Sequence, residues 1–321
     1  MKIFDGHAGI WFDVSAKRKN GKEHIIRDYH LDRFKAGNIM GGIFIAYLDE
    51  NAVDEEKEMV WMINSTIHEI KKNEELFNII KNPGDFNKGI VSGKLNILMG
   101  IEGLRAIKKN LDWLDTFYEL GFRHASLTWN EENDLGTGVK GDENRGITEI
   151  GKSVIRRMNE LGMLVDVSHA NEKTFWDIYE TSSRPIIASH SNARALCDHA
   201  RNLTDEQIKA IAESGGLVGA VAYKGFVDLD KEKQTIERYV DHIEYMISLV
   251  GIKHIGIGFD FCEYLYAGRT GKDMNPRGLE DASFAQNVIV ELRKREYSEE
   301  DIRKIAYENF MRVIEMTFEK Q

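Results

Sequence analysis

Residues 154–169 read VIRRMNELGMLVDVSH, and the fold can be read outward from this stretch. Ile155, Met158 and Leu161 recur every three residues, which puts them on one face of a helix. Gly162 follows at once, and glycine accepts the left-handed backbone that ends a helix. Residues 163–168 then form a short apolar run suited to a buried parallel strand, with His169 at its carboxyl end.

The same unit recurs along the chain. Leu111, Leu114 and Tyr118 lead to Gly121 and the run 122–128; Ile208, Ile211 and Ala212 lead to Gly215-Gly216 and 217–223; Ile243, Met246 and Leu249 lead to Gly251 and 254–259. Further strand-like runs lie at 2–10, 39–47, 95–101 and 185–189, bringing the count to eight. Helix starts are expected at Thr204, whose spacing to Gln207 is that of a capping box, and at Ser298 before an acidic turn. Eight parallel strands alternating with helices predict a (β/α)8 TIM-type barrel, with a metal site at the carboxyl ends of the strands. An open doubly wound sheet fits less well, because it puts its site at one topological crevice, whereas the polar residues here are spread over many strand ends. No internal boundary is visible, so residues 1–321 are read as a single catalytic barrel domain. Long inserts at 11–38 and 261–280 are expected to roof its rim.

The net charge of −10 argues against nucleic acid as a general partner, since phosphate binding requires basic surface. The basic run Lys17-Arg18-Lys19, beside Asn20-Gly21, reads as a solvated loop. No apolar stretch is long enough to span a bilayer, and the start of the chain has no leader-like pattern. These features predict a cytoplasmic protein with no membrane partner, in which Cys197 and Cys262 remain reduced.

Against this frame, residues that bind metals or move protons stand at strand ends: His7, Glu102, His169, His190 and Asp260. The two-residue repeat of a strand turns Asp5, His7 and Gly9 to one side. Neutral imidazoles and an ionised carboxylate suit zinc, which makes hydroxide available near neutral pH. Singly, Glu102 could start a helix and each histidine could be a buried hydrogen-bonder. Asp260 could cap the next loop, and Arg201 could pair with Asp198 or Asp205.

The ordered set is more specific. Asp5-Gly6-His7, Ile101-Glu102-Gly103, Leu127-Thr128-Trp129-Asn130, Asp166-Val167-Ser168-His169, Ser189-His190-Ser191-Asn192, His199-Ala200-Arg201-Asn202 and Gly258-Phe259-Asp260 together resemble the membrane (renal) dipeptidase family of zinc peptidases, over almost the whole chain. The resemblance implies a site for two Zn2+ ions, bridged by Glu102, with His7 serving one ion and His169 and His190 the other. It implies that Asp260 moves the proton and Arg201 holds the terminal carboxylate of a dipeptide, including dipeptides with a D-residue at the second position. It also admits a homodimer. Tyr223 is a candidate for the substrate wall, Cys262 is left outside the site, and His24, His30, His68, His124, His199, His242 and His254 are read mostly as surface or packing residues.

Two positions depart from the pattern. The family usually carries a second Asp two residues after the first histidine, where this chain has Gly9, so one ion loses a ligand and activity is expected to weaken. Trp129 stands where many relatives have a histidine that polarises the substrate carbonyl; its indole can donate but cannot carry charge. Asn130 or Asn133 is then the expected donor to the oxyanion. Two alternatives remain open at this level: hydrolysis of another small amide or lactone, and a catalytically impaired member that binds a small molecule.

Overall fold

The computed structural model describes residues 1–49, 51–266 and 274–318. The stretch around Gly162 folds as expected. Helix Glu149–Leu161 starts where the Thr148 side chain accepts from Gly151 N, and it stops at Gly162 in the left-handed region. Gly121, Gly215 and Gly251 likewise have positive φ at the ends of their helices. The Thr204–Gln207 capping box forms, and Ser298 caps the helix that follows it.

Nine strands are present among the described residues: β1 Ile3–Ala8, β2 Ile39–Tyr47, β3 Phe77–Ile79, β4 Leu95–Glu102, β5 Phe122–Ser126, β6 Leu164–Asp166, β7 Ile186–Ala188, β8 Leu217–Ala220 and β9 Ile255–Ile257. All pairings between them are parallel, in the order β1-β2-β4-β5-β6-β7-β8-β9, and they make the nearly closed barrel of a (β/α)8 fold. At the seam, Asp5 Oδ1 accepts from Phe259 N at 2.9 Å, and His7 O accepts from Asp260 N at 3.1 Å. β3 was not expected; it pairs with β4 off the ring. Three residues are too short to show a periodicity.

Strand alternation sets the two faces. In β4, Ile97, Met99 and Ile101 pack in the larger apolar cluster with helix residues, while Leu98 joins a smaller cluster with Phe4, Ile43, Ile45 and Phe310. Glu102 shares the parity of Leu98 and so reaches the rim from the barrel interior. Phe310, from helix Asn309–Phe318, plugs the opposite end. It requires glycine on facing strands, because a Cβ at Gly6 or Gly256 would lie 2.2 or 2.6 Å from its ring.

Three expectations are corrected. β1 stops at Ala8, and helix Ile10–Lys19 begins at once, so Lys17-Arg18-Lys19 is the last turn of a helix. There Lys17 pairs with the buried Asp13 one turn back, and basic residues suit the negative end of the helix. The pairing of β1 with β2 shifts between Asp5 and Ala8, so strict alternation fails where it was invoked for His7. Asp5, expected beside His7, instead spends its Oδ1 on the seam.

The insert at 11–38 continues as a π-helical turn, Ile26–His30, and a helix, Leu31–Ala36. In the insert at 261–280, Glu263–Tyr266 forms a 3-10 turn, and residues 267–273 lie outside the described residues. No helix among the described residues is long and apolar enough to cross a membrane.

Candidate metal centre

Glu102 ends β4, His169 and His190 follow β6 and β7 by three and two residues, and His7 lies near the end of β1. Their ligating atoms converge. Glu102 Oε1 lies 2.9 Å from His169 Nε2, 3.4 Å from His7 Nε2 and 3.5 Å from His190 Nε2, and the two latter-strand imidazoles are 2.9 Å apart at Nε2. All four residues are buried.

The proton on each ring follows from the groups beneath. Ser189 Oγ contacts Asp166 Oδ2, His7 Nδ1 at 3.0 Å and His190 Nδ1 at 2.8 Å. A hydroxyl has one proton to give, and the carboxylate, which only accepts, takes it. Ser189 Oγ must therefore accept from both imidazoles, which fixes their protons on Nδ1 and leaves both Nε2 atoms bare. Asn130 Oδ1 fixes His169 the same way, accepting from its Nδ1 at 2.9 Å. Burial holds all three rings neutral: His7 is pushed down to about 4 despite the opposing pull of Glu102, and His169 and His190 lie well below the usual range.

The centre is thus a knot of acceptors. Three bare nitrogens face a carboxylate oxygen that is buried without a hydrogen-bond partner among the described residues. Such a set is repulsive unless a cation joins it, and the donors are those zinc prefers. The orphaned Glu102 oxygen is the observation that fits a metal here. A second grouping, His7, Asp166 and His190, has similar spacing but a different character. Asp166 already accepts from Ser168 N, Ser168 Oγ, Ser189 N, Ser189 Oγ and His124 Nε2, so its lone pairs are occupied. Those bonds outweigh the penalty of burial and hold its carboxyl well below the usual range. It orients ligands through Ser189 and is not itself free to bind.

Around the centre lies a cavity of about 570 Å3 bordered by Tyr47, Trp129, Lys140, Arg201, Tyr223 and Asp260. Arg201 donates from Nη2 to His190 Nε2 at 2.9 Å, while its buried Nη1 has no hydrogen-bond partner among the described residues. It is buried against the Phe226 ring and pairs with neither Asp198 nor Asp205. Burial lowers it to about 10, which leaves it cationic at neutral pH.

Asp260 sits 3.9 Å from His7 Nε2 with φ of 56°, a left-handed backbone that is uncommon for a residue other than glycine. Burial first, and Glu102 second, raise its carboxyl well above the ordinary range. Trp129 and Tyr223 face the cavity, Trp129 lying between Tyr47 and His169 with Lys140 Nζ 5.8 Å from its ring.

Asn133 is not brought to the site. Its Oδ1 accepts from Leu135 N and Gly136 N and its Nδ2 donates to Leu127 O, so it builds the loop. Asn130 borders the cavity, but its carbonyl is committed to His169.

Sequence reasoning missed Ser189, Asp166 and Lys140, and it placed His124, His30 and His242 among surface or packing residues. These three histidines are buried and hydrogen-bonded, His124 to Asp166, His30 to Asp13 and His242 to Val227 O. A serine directly before His190 and an Asp-x-Ser before His169 were the signals available.

A parallel barrel that gathers three unprotonated imidazole nitrogens and an orphaned carboxylate at its carboxyl rim defines a metal-dependent hydrolase. Comparison with known proteins narrows the class. Residues 1–320 match the membrane dipeptidase family (peptidase family M19), and the chain belongs to that family of metallo-dipeptidases. An uncharacterised dipeptidase of Schizosaccharomyces pombe is 30% identical over 337 aligned positions, covering 98% of this chain and 80% of that protein. A metallopeptidase from Rhodobacter sphaeroides, crystallised with a phosphinate mimic of the dipeptide L-Ala-D-Ala, superposes with a TM-score of 0.88 at 26% identity over 99% of both chains. The crystallised metallopeptidase called dipeptidase AC gives 0.87 at 26% identity, again over 99% of each.

Proposed function

We propose that this metallo-dipeptidase is a two-zinc enzyme that cleaves dipeptides with a free terminal carboxylate, the whole chain serving as one catalytic unit. One observation carries the substrate class. Arg201 presents a buried guanidinium whose Nη1 is unsatisfied, while its Nη2 touches the acceptor knot. A guanidinium binds a carboxylate through parallel hydrogen bonds, and its fixed distance from the metal ligands favours a scissile bond one residue from that carboxylate. The ligand in the Rhodobacter relative supports extending the class to a D-residue at the second position.

His7, His169 and His190 would hold the metal through Nε2, with Glu102 shared between two ions. When bound, the ions supply Lewis acidity and bring the pKa of water towards neutrality. Arg201 then orients the substrate, and Trp129 and Tyr223 wall its side chains. Asp260 accepts a proton from the attacking water as the new C–O bond forms. It returns that proton to the amine as the C–N bond breaks. A carboxylate placed beside the metal ligands, 3.9 Å from His7 Nε2, is a competent shuttle between the two steps.

The test compares Ala-Ala, L-Ala-D-Ala and the carboxamide of Ala-Ala. Hydrolysis of the free dipeptides should exceed that of the carboxamide by at least about 100-fold in kcat/KM, and Asp260→Asn should lower kcat by about 10²–10⁴-fold. Equal turnover of carboxamide and free dipeptide would remove the substrate assignment. An undiminished Asp260→Asn rate would remove the proton route.

A further inference from the structure

The two sides of Glu102 are unequally equipped. On one side, His169, His190 and Glu102 form a complete trio whose ligating atoms lie within 4.8 Å of one another. On the other side, His7 Nε2 has the shared Glu102 oxygen at 3.4 Å and Asp260 Oδ1 at 3.9 Å. With Asp260 assigned to proton transfer, this side keeps His7 and the shared Glu102, fewer than the three or four protein ligands zinc commonly takes. The nearby carboxylates of the first insert and strand do not fill it. Asp5 Oδ1 is held by the amides of His7 and Phe259, and Asp13 is shared between His30 and Lys17.

Gly9 opens the missing place. Its φ of −69° suits any L-residue, and a Cβ there would meet nothing closer than Tyr264 Oη at 3.4 Å and Tyr47 Cε1 at 3.5 Å. The space a side chain at position 9 would enter is therefore fronted by the hydroxyl of Tyr264. That hydroxyl is buried and has no hydrogen-bond partner among the described residues, although Tyr264 borders the same cavity as His7, Glu102 and Asp260. An unsatisfied buried hydroxyl carries a desolvation penalty that phenylalanine would avoid.

The ring is held in place from two directions. It meets His30 edge-on with centroids 4.8 Å apart, and His30 is itself fixed by Asp13. The preceding residue, Glu263, accepts from Arg33 Nη1 at 2.6 Å. The insert after β1 thus positions a tyrosine supplied by the insert after β9.

We propose that the Tyr264 hydroxyl is the oxygen donor on the His7 side of the metal centre, in place of a side chain at Gly9. The proposal rests on the two-metal reading above. It treats the absence of a side chain at position 9 as compensated from across the rim.

Calorimetric titration of the metal-free protein with zinc tests it, using wild type, Tyr264→Phe and the double variant Gly9→Asp/Tyr264→Phe. Wild type should bind two ions. Tyr264→Phe, which retains the ring and its packing on His30, should weaken one site by about 10–100-fold and leave the other unchanged. The unchanged site reports that the fold is intact. The double variant should recover the lost affinity, since position 9 has room for the new carboxylate. Two sites of wild-type affinity in Tyr264→Phe would overturn the proposal, as would a wild-type protein that binds a single ion. The first result would leave the two-zinc reading intact, and the second would remove its second ion, while continued cleavage of dipeptides would keep the dipeptidase assignment in either case. Failure of wild type to cleave any dipeptide would defeat that reading, whatever Tyr264 does.

Discussion

Replacing Ser189 with alanine removes one atom from beneath the metal centre, and its effect can be worked through bond by bond. In wild type, Ser189 Oγ donates to Asp166 and accepts from Nδ1 of His7 and of His190. Without it, both imidazoles lose the acceptor that holds their protons on Nδ1. Metal-free protein can respond by shifting the His7 proton to Nε2, where Glu102 Oε1 waits at 3.4 Å, whereas His190 Nε2 stays the acceptor of Arg201. This relieves part of the acceptor knot, so the apo fold should lose only about 1–2 kcal/mol, near the usual worth of a buried hydrogen bond. Zinc binding would then have to reverse the shift and leave two buried N–H groups unpaired. The expected result is zinc affinity about 10–100-fold weaker, equivalent to about 1.4–2.7 kcal/mol. Competition with a chromophoric chelator gives the affinity, and thermal unfolding with and without zinc separates it from apo stability. Wild-type zinc affinity in a correctly folded Ser189→Ala protein would refute both the tautomer assignment and the supporting role of Ser189.

Two further predictions concern stability. His242 is buried with Nε2 donating to Val227 O and Nδ1 accepting from Ala193 N, and burial pushes it down to about 4. Because the unfolded chain takes up that proton near pH 6.5 and the folded one does not, stability should fall as pH drops from about 6.5 to 4. The loss is about 1.4 kcal/mol per pH unit and about 3 kcal/mol in all, and urea unfolding of wild type against His242→Gln should show the variant's slope shallower by about one proton. An unchanged slope would show that His242 is already protonated in the fold. Phe310→Ala should cost about 3–5 kcal/mol by emptying the barrel's lower plug, which Gly6 and Gly256 cannot refill. A loss under about 1 kcal/mol would mean the barrel collapses onto the gap.

The glycine-terminated helices and the apolar runs after them made the barrel legible, because both signals are local and recur with the same order. The strand-end residues were legible for a related reason: a parallel barrel brings every strand's carboxyl end to one rim, so His7, Glu102, His169 and His190 needed no pairwise contact to be grouped. The groups that orient them were not legible. Whether Ser189 Oγ serves both His7 and His190 depends on how β1 and β7 stand across the barrel, which the run of residues does not encode. Asn133 shows the converse error. Its side-chain amide looked available, but an asparagine in a tight loop can bond to backbone two and three residues on, and this one does. The register shift in β1 escaped because Asp5-Gly6-His7 is short enough to satisfy simple alternation on paper.

Saturation decides which polar residues in this centre can act. Asp166 and Glu102 are both buried carboxylates within reach of the same histidines, yet the first has five donors and the second has an oxygen with none. The saturated one fixes geometry and the unsaturated one is left to bind. The same asymmetry links function to stability. Folding without metal brings like acceptors to within 2.9–3.5 Å, and the Nη2 of Arg201, bonded to His190, offsets only part of that repulsion. Zinc present at a thousand times its dissociation constant would add about 4 kcal/mol to the folded state. Packing at the Phe310 end is remote from this term and persists in the apo protein. Metal removal should therefore loosen the rim before the barrel's base, since the repulsion resides where β4, β6 and β7 end.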